Sequence, residues 1–308
     1  MDPSITLLLV GATGRVGAHV AHRILDRGIK LRILVRSESI NTPQKKVLLD
    51  TLIKRGASIV EGNLLHSESL KRAVEDIDVI ISTVQGGEKL IVDGQATLAE
   101  AGKNAGARRI FPSTFSSELF AVKTNDIHVV ENPIFKIRRK AAQAIAETYL
   151  PATYLMNGTF MHSMLKSPVL SPFKRQEKVF EYWGTGNRAA AYTALSDAVH
   201  YLIEAALDTD PPEHLRVAGD ILTMKEMKRD YEKVTGQILR ERCLGTLTDF
   251  SNKIEQIKET SDSSVEYVFH QIRYAMDSGA GNLEHLNNQL YPSIKPKSFR
   301  SMVKHCVP

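Results

Sequence analysis

Cysteine is nearly missing from this 308-residue chain. Cys243 and Cys306 are the only two. They have no metal-type spacing, so neither a disulfide framework nor a zinc site is expected, and a reducing cytosol fits. Any apolar run of about 18 residues is also missing, so no segment qualifies as a membrane span. The opening MDPSITLLLV carries no basic stretch ahead of its apolar run and reads as a first strand, not a secretory signal. Internal repeats and low-complexity linkers are absent, so a second lobe is expected to be woven onto the first, not tethered to it. Acidic residues do not quite balance basic ones, and the formal net charge is +5 with a pI near 9.0. The excess is spread along the chain, apart from Lys136–Lys140, and no nucleic-acid module accompanies it. It reads first as a solvated surface, then as an attraction for small anions such as phosphates, and nucleic-acid binding comes last.

What is present is a regular alternation. Hydrophobic residues make up 43% of the chain, enough for a sizeable core. Ile5–Val10, Leu31–Val35, Ser58–Glu61, Asp78–Thr83, Arg109–Pro112 and Ala152–Met156 read as strands. Val16–Arg27, Gln44–Arg55, Ser67–Val74, Ile91–Ala105 and Phe135–Tyr149 read as the helices between them. Repeated strand–helix units predict an α/β fold with a doubly wound parallel sheet and right-handed crossovers. Past Gly158 the alternation breaks. Ser167–Phe173 reads as a loop and Thr193–Ala206 as a strand end followed by a helix. Helices are expected over Met224–Thr235, Phe250–Thr260 and Val265–Met276. The expected division is therefore residues 1–157 as a nucleotide-binding domain and residues 158–308 as a smaller, mostly helical lobe interwoven with the sheet.

Between the first strand and the first helix stands VGATGRVG, with Gly11, Gly14 and Gly17 three apart. A glycine-rich turn lets backbone approach a pyrophosphate, and the following helix N-terminus offers open N–H groups and a partial positive charge. An NAD-binding loop usually has an acid about 20 residues later for the ribose 2′-hydroxyl. This chain has Arg36 there, followed by Ser37. A carboxylate would repel a 2′-phosphate, whereas a guanidinium pairs with it in two-pronged fashion. With Arg15 as a second positive group, the pattern predicts NADP(H) over NAD(H).

VGATGRVG, LVRSES, GNLLHSESLKRAVEDIDVIISTV and AGARRIFPSTFSSE together resemble the isoflavone reductase-like and NmrA-like proteins, atypical relatives of the short-chain dehydrogenase/reductase superfamily. LPATYLMNGTF and YTALSDAVHYL look like later landmarks of the same family, and the likeness runs over roughly residues 4–207. It implies a Rossmann-like domain that binds NADPH and a smaller C-terminal lobe. Typical substrates are aromatic or polyketide-like secondary metabolites. Some members deliver hydride from NADPH; others, of the NmrA regulator type, bind the dinucleotide without turnover. Matching positions imply cofactor contacts at Gly11, Thr13, Gly14, Arg15, Val16, Gly17 and Arg36. Thr83, Val84 and Gln85 fall on the nicotinamide ribose side, and Phe160 falls on the family's aromatic after the sixth strand.

The Tyr-x-x-x-Lys pair of ordinary short-chain dehydrogenases has one formal match, Tyr291–Lys295 in YPSIK. It holds a proline, lies far from the cofactor strands and reads as coincidence. The reductases resembled here use a lysine on the helix before the IPYTY-like segment. Counting back from Pro151 places Arg138 at that position, between Lys136 and Lys140. Arginine stays protonated and is a poor proton donor, though it holds a phosphate, ribose or oxyanion well. Lys136 or Lys140 could enter the site instead, since they share one helix face, and a solvated basic face is the plain alternative. His162 is a further candidate proton donor. Phe115, Phe120, Met161, Met164, Tyr182 and Trp183 are candidate pocket walls or ordinary core. Ser113 and Thr114 stand at the carboxyl end of the fifth strand, where ligands bind in such sheets. Asp197 beside Ser196 reads as a helix cap.

The expected function is NADPH-dependent reduction of a carbonyl, imine or conjugated double bond in a hydrophobic small molecule. The rivals are an NADP(H)-sensing regulator and a non-redox isomerase or cyclase. No metal, nucleic acid or membrane partner is expected, and a homodimer is compatible.

Overall fold

The computed structural model describes residues 5–36, 42–121, 126–260 and 264–307. Ser37 therefore lies outside the described residues. The chain forms two compact units that alternate along the sequence. The first comprises residues 1–114, 137–155 and 199–215, and the second comprises residues 115–136, 156–198 and 216–308.

The first unit begins with β1 (Thr6–Val10), α1 (Arg15–Asp26), β2 (Lys30–Val35), α2 (Pro43–Lys54), β3 (Ser58–Glu61) and α3 (Ser67–Val74). β4 (Val79–Ser82), α4 (Gln95–Asn104) and β5 (Arg109–Phe111) follow. The five strands lie in the order β3-β2-β1-β4-β5, and every pair is parallel. Strands buried on both faces read as unbroken apolar runs, which is why TLLLV and VIIS were legible. Leu8, Val10, Ile80 and Ile110 pack with Leu70, Leu98 and Ile145 into one core cluster. β2 and β4 flank β1 on opposite sides, so the winding reverses at β1/β4. This Rossmann-like arrangement opens its ligand crevice at the carboxyl ends of those two strands.

The helix expected from Ile91 is not continuous. A π-helical turn, Leu90–Gly94, precedes α4. Buried Gln95 uses its side chain at this junction, donating to the Ile91 carbonyl at 2.8 Å and accepting from Ser113 N at 2.8 Å.

After β5 come α5 (Ile127–Val130) and α6 (Pro133–Ala146). α6 starts two residues before the expected Phe135, because the Asn132 Oδ1 accepts from Ile134 N at 3.0 Å and Phe135 N at 3.3 Å, with Pro133 in the first turn. β6 (Tyr154–Met156), β7 (Thr159–Phe160), α7 (Met161–Lys166), β8 (Phe173–Lys174), β9 (Val179–Tyr182), β10 (Ala189–Thr193) and α8 (Leu195–Leu207) follow. The chain ends with β11 (His214–Arg216), β12 (Asp220–Thr223), α9 (Met224–Thr235), β13 (Arg240–Cys243), α10 (Leu247–Thr260), α11 (Ser264–Ser278) and α12 (Phe299–Cys306).

The second unit carries more strand than its sequence suggested. β12-β10-β7 and β13-β9-β8 form two three-stranded sheets. Its core holds Phe180, Tyr192, Tyr231 and Phe299, all essentially without solvent contact. Arg273 staples this unit. Its guanidinium donates to Asp277 Oδ2 at 2.7 Å, to the Leu170 carbonyl at 2.9 Å and to the Glu181 carbonyl at 2.7 Å. The expectation for Asp197 is corrected. It lies within the first turn of α8, not at its cap, and its Oδ2 accepts from Lys297 N at 2.6 Å, so it anchors the C-terminal segment instead.

Candidate functional site

The glycine turn sits at the reversal of the sheet. Val10 pairs with Ser82, so Gly11 and Thr83 are neighbours one step beyond the strands. The Thr83 hydroxyl donates to the Val10 carbonyl at 3.0 Å and the Gly11 carbonyl at 3.2 Å, clamping the turn from below. Gly11 has φ +88°, a conformation that strains any residue with a Cβ. Gly17 is required for a different reason: a Cβ there would lie 2.1 Å from the Gly11 oxygen and 2.7 Å from Thr83 Oγ1. α1 therefore starts in direct backbone contact with the turn.

Gly14 caps α1 in extended conformation with no side-chain hydrogen bond to the helix, and the first turn has no acidic residue. The Ala18 N–H is already bonded, to the Gly14 carbonyl at 2.9 Å. The N–H groups of Arg15, Val16 and Gly17 come before any intrahelical acceptor, which leaves them for an anion. This donor set fits the diphosphate of a dinucleotide.

Arg36 follows β2 directly and is exposed. Because Val10 pairs with Leu34, Arg36 emerges beside the glycine turn at the same sheet edge. Arg15 is exposed and Thr13 half-buried on the turn itself. Val84 is half-buried and Gln85 exposed beyond the end of β4. Ser113 and Thr114 are buried at the end of β5, where the Thr114 hydroxyl donates to the Leu155 carbonyl at 3.0 Å. The first unit thus gathers the expected dinucleotide residues at one carboxyl edge, except Phe160, which belongs to the second unit.

α6 carries four cations, Lys136, Arg138, Arg139 and Lys140, and the three candidates among them differ in environment. Lys136 is exposed and paired with Glu131 at 2.7 Å, and Lys140 is exposed and paired with Glu88 at 2.5 Å. Arg138 is half-buried, and protein crowds its guanidinium enough that burial pulls its pKa down to about 10. It stays protonated at neutral pH.

In the second unit, Phe160 and His162 stack at 5.7 Å, and the Ser163 hydroxyl is 3.4 Å from His162 Nε2. The expected apolar pocket walls separate. Met161, Met164 and Tyr182 belong to the buried core, and Trp183 stacks on Phe250 at 4.5 Å. Phe115 and Phe120 are only half-buried. In YPSIK, Tyr291 is buried and Lys295 Nζ donates to the Pro292 carbonyl at 3.1 Å.

Sequence reasoning missed Glu118. Its Oε1 accepts from the N–H groups of Leu119, Phe120 and Ala121 at 3.1, 3.0 and 3.1 Å, and its Oε2 accepts from Arg216 Nε at 2.7 Å. Burial alone would raise this carboxyl; the Arg216 hydrogen bond and the turn amides outweigh it and hold it below its ordinary value. The partner is distant in sequence, so no local pattern announces the pair.

Among the described residues no cluster of His, Cys, Asp and Glu is arranged to hold a metal, and no helix is long and apolar enough to cross a membrane.

The chain is 29% identical over 246 residues to a phenylcoumaran benzylic ether reductase of Pinus taeda, covering 76% of each protein. It is 29% identical over 325 residues to a bifunctional pinoresinol-lariciresinol reductase of Thuja plicata, covering 99% of each. The solved structure of AtPrR2 with NADP+ and (+)-pinoresinol superposes with a TM-score of 0.81 at 23% identity, over 98% of this chain and 99% of that one. The sequence profile of the NmrA-like family matches residues 3–295. With that match spanning both units, the chain belongs to the NmrA-like family.

Proposed function

We propose that this protein is an NADPH-dependent reductase of a hydrophobic aromatic or polyketide-like small molecule. The observation that carries the reading is the glycine turn at the β1/β4 reversal. Its amides are open, its first helical turn has no acid, and Arg36 stands where a ribose-binding acid would exclude a 2′-phosphate. The named activities of the Pinus and Thuja relatives, and the ligands of AtPrR2, support the same reading.

The dinucleotide, when bound, supplies a hydride from nicotinamide C4. Arg15, Val16 and Gly17 would hold its diphosphate through their main-chain N–H groups, with Gly11 and Gly14 shaping the turn, and Arg36 with Arg15 would hold the 2′-phosphate. Thr83, Val84 and Gln85, at and beyond the end of β4, would border the nicotinamide ribose. Among the three candidate cations of α6, Arg138 is half-buried, whereas Lys136 and Lys140 are exposed. As a fixed cation Arg138 stabilises an oxygen gaining negative charge and leaves protonation to a separate donor. The two free cysteines fit a cytosolic location.

The test is NADPH absorbance and product analysis with lignans, isoflavones and related phenolics. Product that forms only with NADPH supports the reading. Tight NADPH binding without turnover on any of them favours a dinucleotide-sensing regulator, and product formed without nicotinamide favours a non-redox isomerase.

A further inference from the structure

Phe115 has φ +25°. A bulky aromatic residue with a positive φ is a strained outlier, and such outliers persist only where the surroundings over-determine them. The surroundings here do so. The Ser116 carbonyl, next in the chain, accepts from Asn157 N at 2.9 Å and Gly158 N at 3.0 Å. Ser116 also bridges Met156 in parallel register. Glu118 gathers the three amides that follow it and is fixed by the Arg216 guanidinium. The Glu118 N–H reaches the Gly281 carbonyl at 3.4 Å, and Gly281 is itself close-packed, since a Cβ there would lie 3.0 Å from Ser117 Cβ.

This scaffolding does not bury Phe115 completely. Ser116, Ser117, Glu118 and Leu119 are all buried, whereas Phe115 keeps exposed surface. The chain is thus held in a costly conformation that leaves Phe115 only partly buried directly after Thr114, at the carboxyl end of β5. Segments at carboxyl ends of strands in open α/β sheets are where ligands bind.

We infer that Phe115 is a specificity residue that contacts the aromatic part of the substrate, and that Glu118 with Arg216 positions it, a role that rests on the reductase reading above. The backbone tie from Ser116 to Asn157 and Gly158 also links this ring's loop to the strand that carries Phe160. Aromatic rings prefer offset or edge-on partners, so such a wall favours planar phenolic ligands over aliphatic ones of similar size.

Phe115→Gly separates this role from core packing. It relieves the positive φ and removes the ring. Binding of pinoresinol and of genistein in the presence of NADP+ is read by calorimetry for wild type and variant, together with the melting temperature and NADPH affinity. The expected result is an unchanged or higher melting temperature and NADPH affinity within about twofold. Aromatic binding should fall at least about tenfold, the low end of what one lost apolar contact costs in discrimination. Phe115→Leu, which keeps the strain and an apolar side chain, is expected to narrow the preference for the aromatic probe over an aliphatic alcohol. Glu118→Gln should raise KM for the aromatic substrate with kcat and NADPH affinity little changed.

A clear drop in the melting temperature of Phe115→Gly marks the ring as core and overturns the inference. So does unchanged binding of both probes, or their failure to bind wild type. If wild type turns over NADPH on an aromatic substrate with no dependence on Phe115, the inference falls and the reductase reading stands. If binding depends on Phe115 but no NADPH is consumed, the reductase reading falls and the inference stands.

Discussion

Gly17→Ala is the most direct perturbation of the glycine turn. The added Cβ would lie 2.1 Å from the Gly11 oxygen, 2.7 Å from its carbonyl carbon and 2.7 Å from Thr83 Oγ1. Two of these atoms are backbone and cannot rotate away. Ordinary contact distances require the start of α1 to retreat by roughly 1 Å. Overpacking of this kind costs about 1–3 kcal/mol, or roughly 2–9 °C in melting temperature for a chain of this size. The same retreat moves the N–H groups of Arg15, Val16 and Gly17 away from the diphosphate. Hydrogen bonds to charged groups contribute about 1.5–3 kcal/mol each, so weakening two of them predicts a rise in NADPH Kd on the order of 100-fold. Differential scanning fluorimetry and a fluorescence titration with NADPH read the two effects separately. Gly28→Ala is the control. Gly28 has φ +67° but a Cβ there meets nothing within 4 Å, so backbone strain alone is expected, with NADPH affinity unchanged. Wild-type NADPH affinity in Gly17→Ala would refute the placement of the diphosphate at this turn.

Three further outcomes are expected. Arg36→Ser should weaken NADPH by about 10- to 150-fold, the value of one charge-assisted contact, and leave NADH nearly unaffected in parallel titrations. Arg138→Ala should lower kcat by about 100-fold or more with NADPH affinity retained, whereas Lys136→Ala and Lys140→Ala, which break only exposed ion pairs, should leave kcat within a few-fold in steady-state assays. Glu118 binds its proton less readily in the folded protein than its ordinary value of 4.5 allows. Its stabilisation is therefore present above that value and lost as the pH falls through the lowered folded pKa. Arg216→Met leaves the carboxylate without its partner, costs about 3 kcal/mol at neutral pH, and shifts acid unfolding followed by circular dichroism to higher pH.

The first unit was legible because its signals are local. Fully buried parallel strands such as TLLLV and VIIS read as apolar runs, and glycine punctuates the ends of α1 and α2. The strands of the second unit carry weaker signals. β10 is AAAYT, and alanine has little strand preference; β13 is RERC, with charges at three of its four positions, two of them exposed. β7 and β8 are two residues each and are defined by their partners alone. The dinucleotide turn is contiguous and so was visible in the sequence. The Glu118–Arg216 pair depends on residues brought together only by folding, and the strain at Phe115 appears only in its backbone angle.

The central claim is that a hydride leaves a dinucleotide held at this glycine turn. It is tested by presenting NADPH deuterated at nicotinamide C4 with an accepted phenolic substrate and weighing the product. The account predicts one deuterium in the product from one of the two C4-labelled diastereomers, with stoichiometric loss of NADPH absorbance. Unlabelled product from both diastereomers, or tight NADPH binding with no turnover across the substrate set, would contradict it.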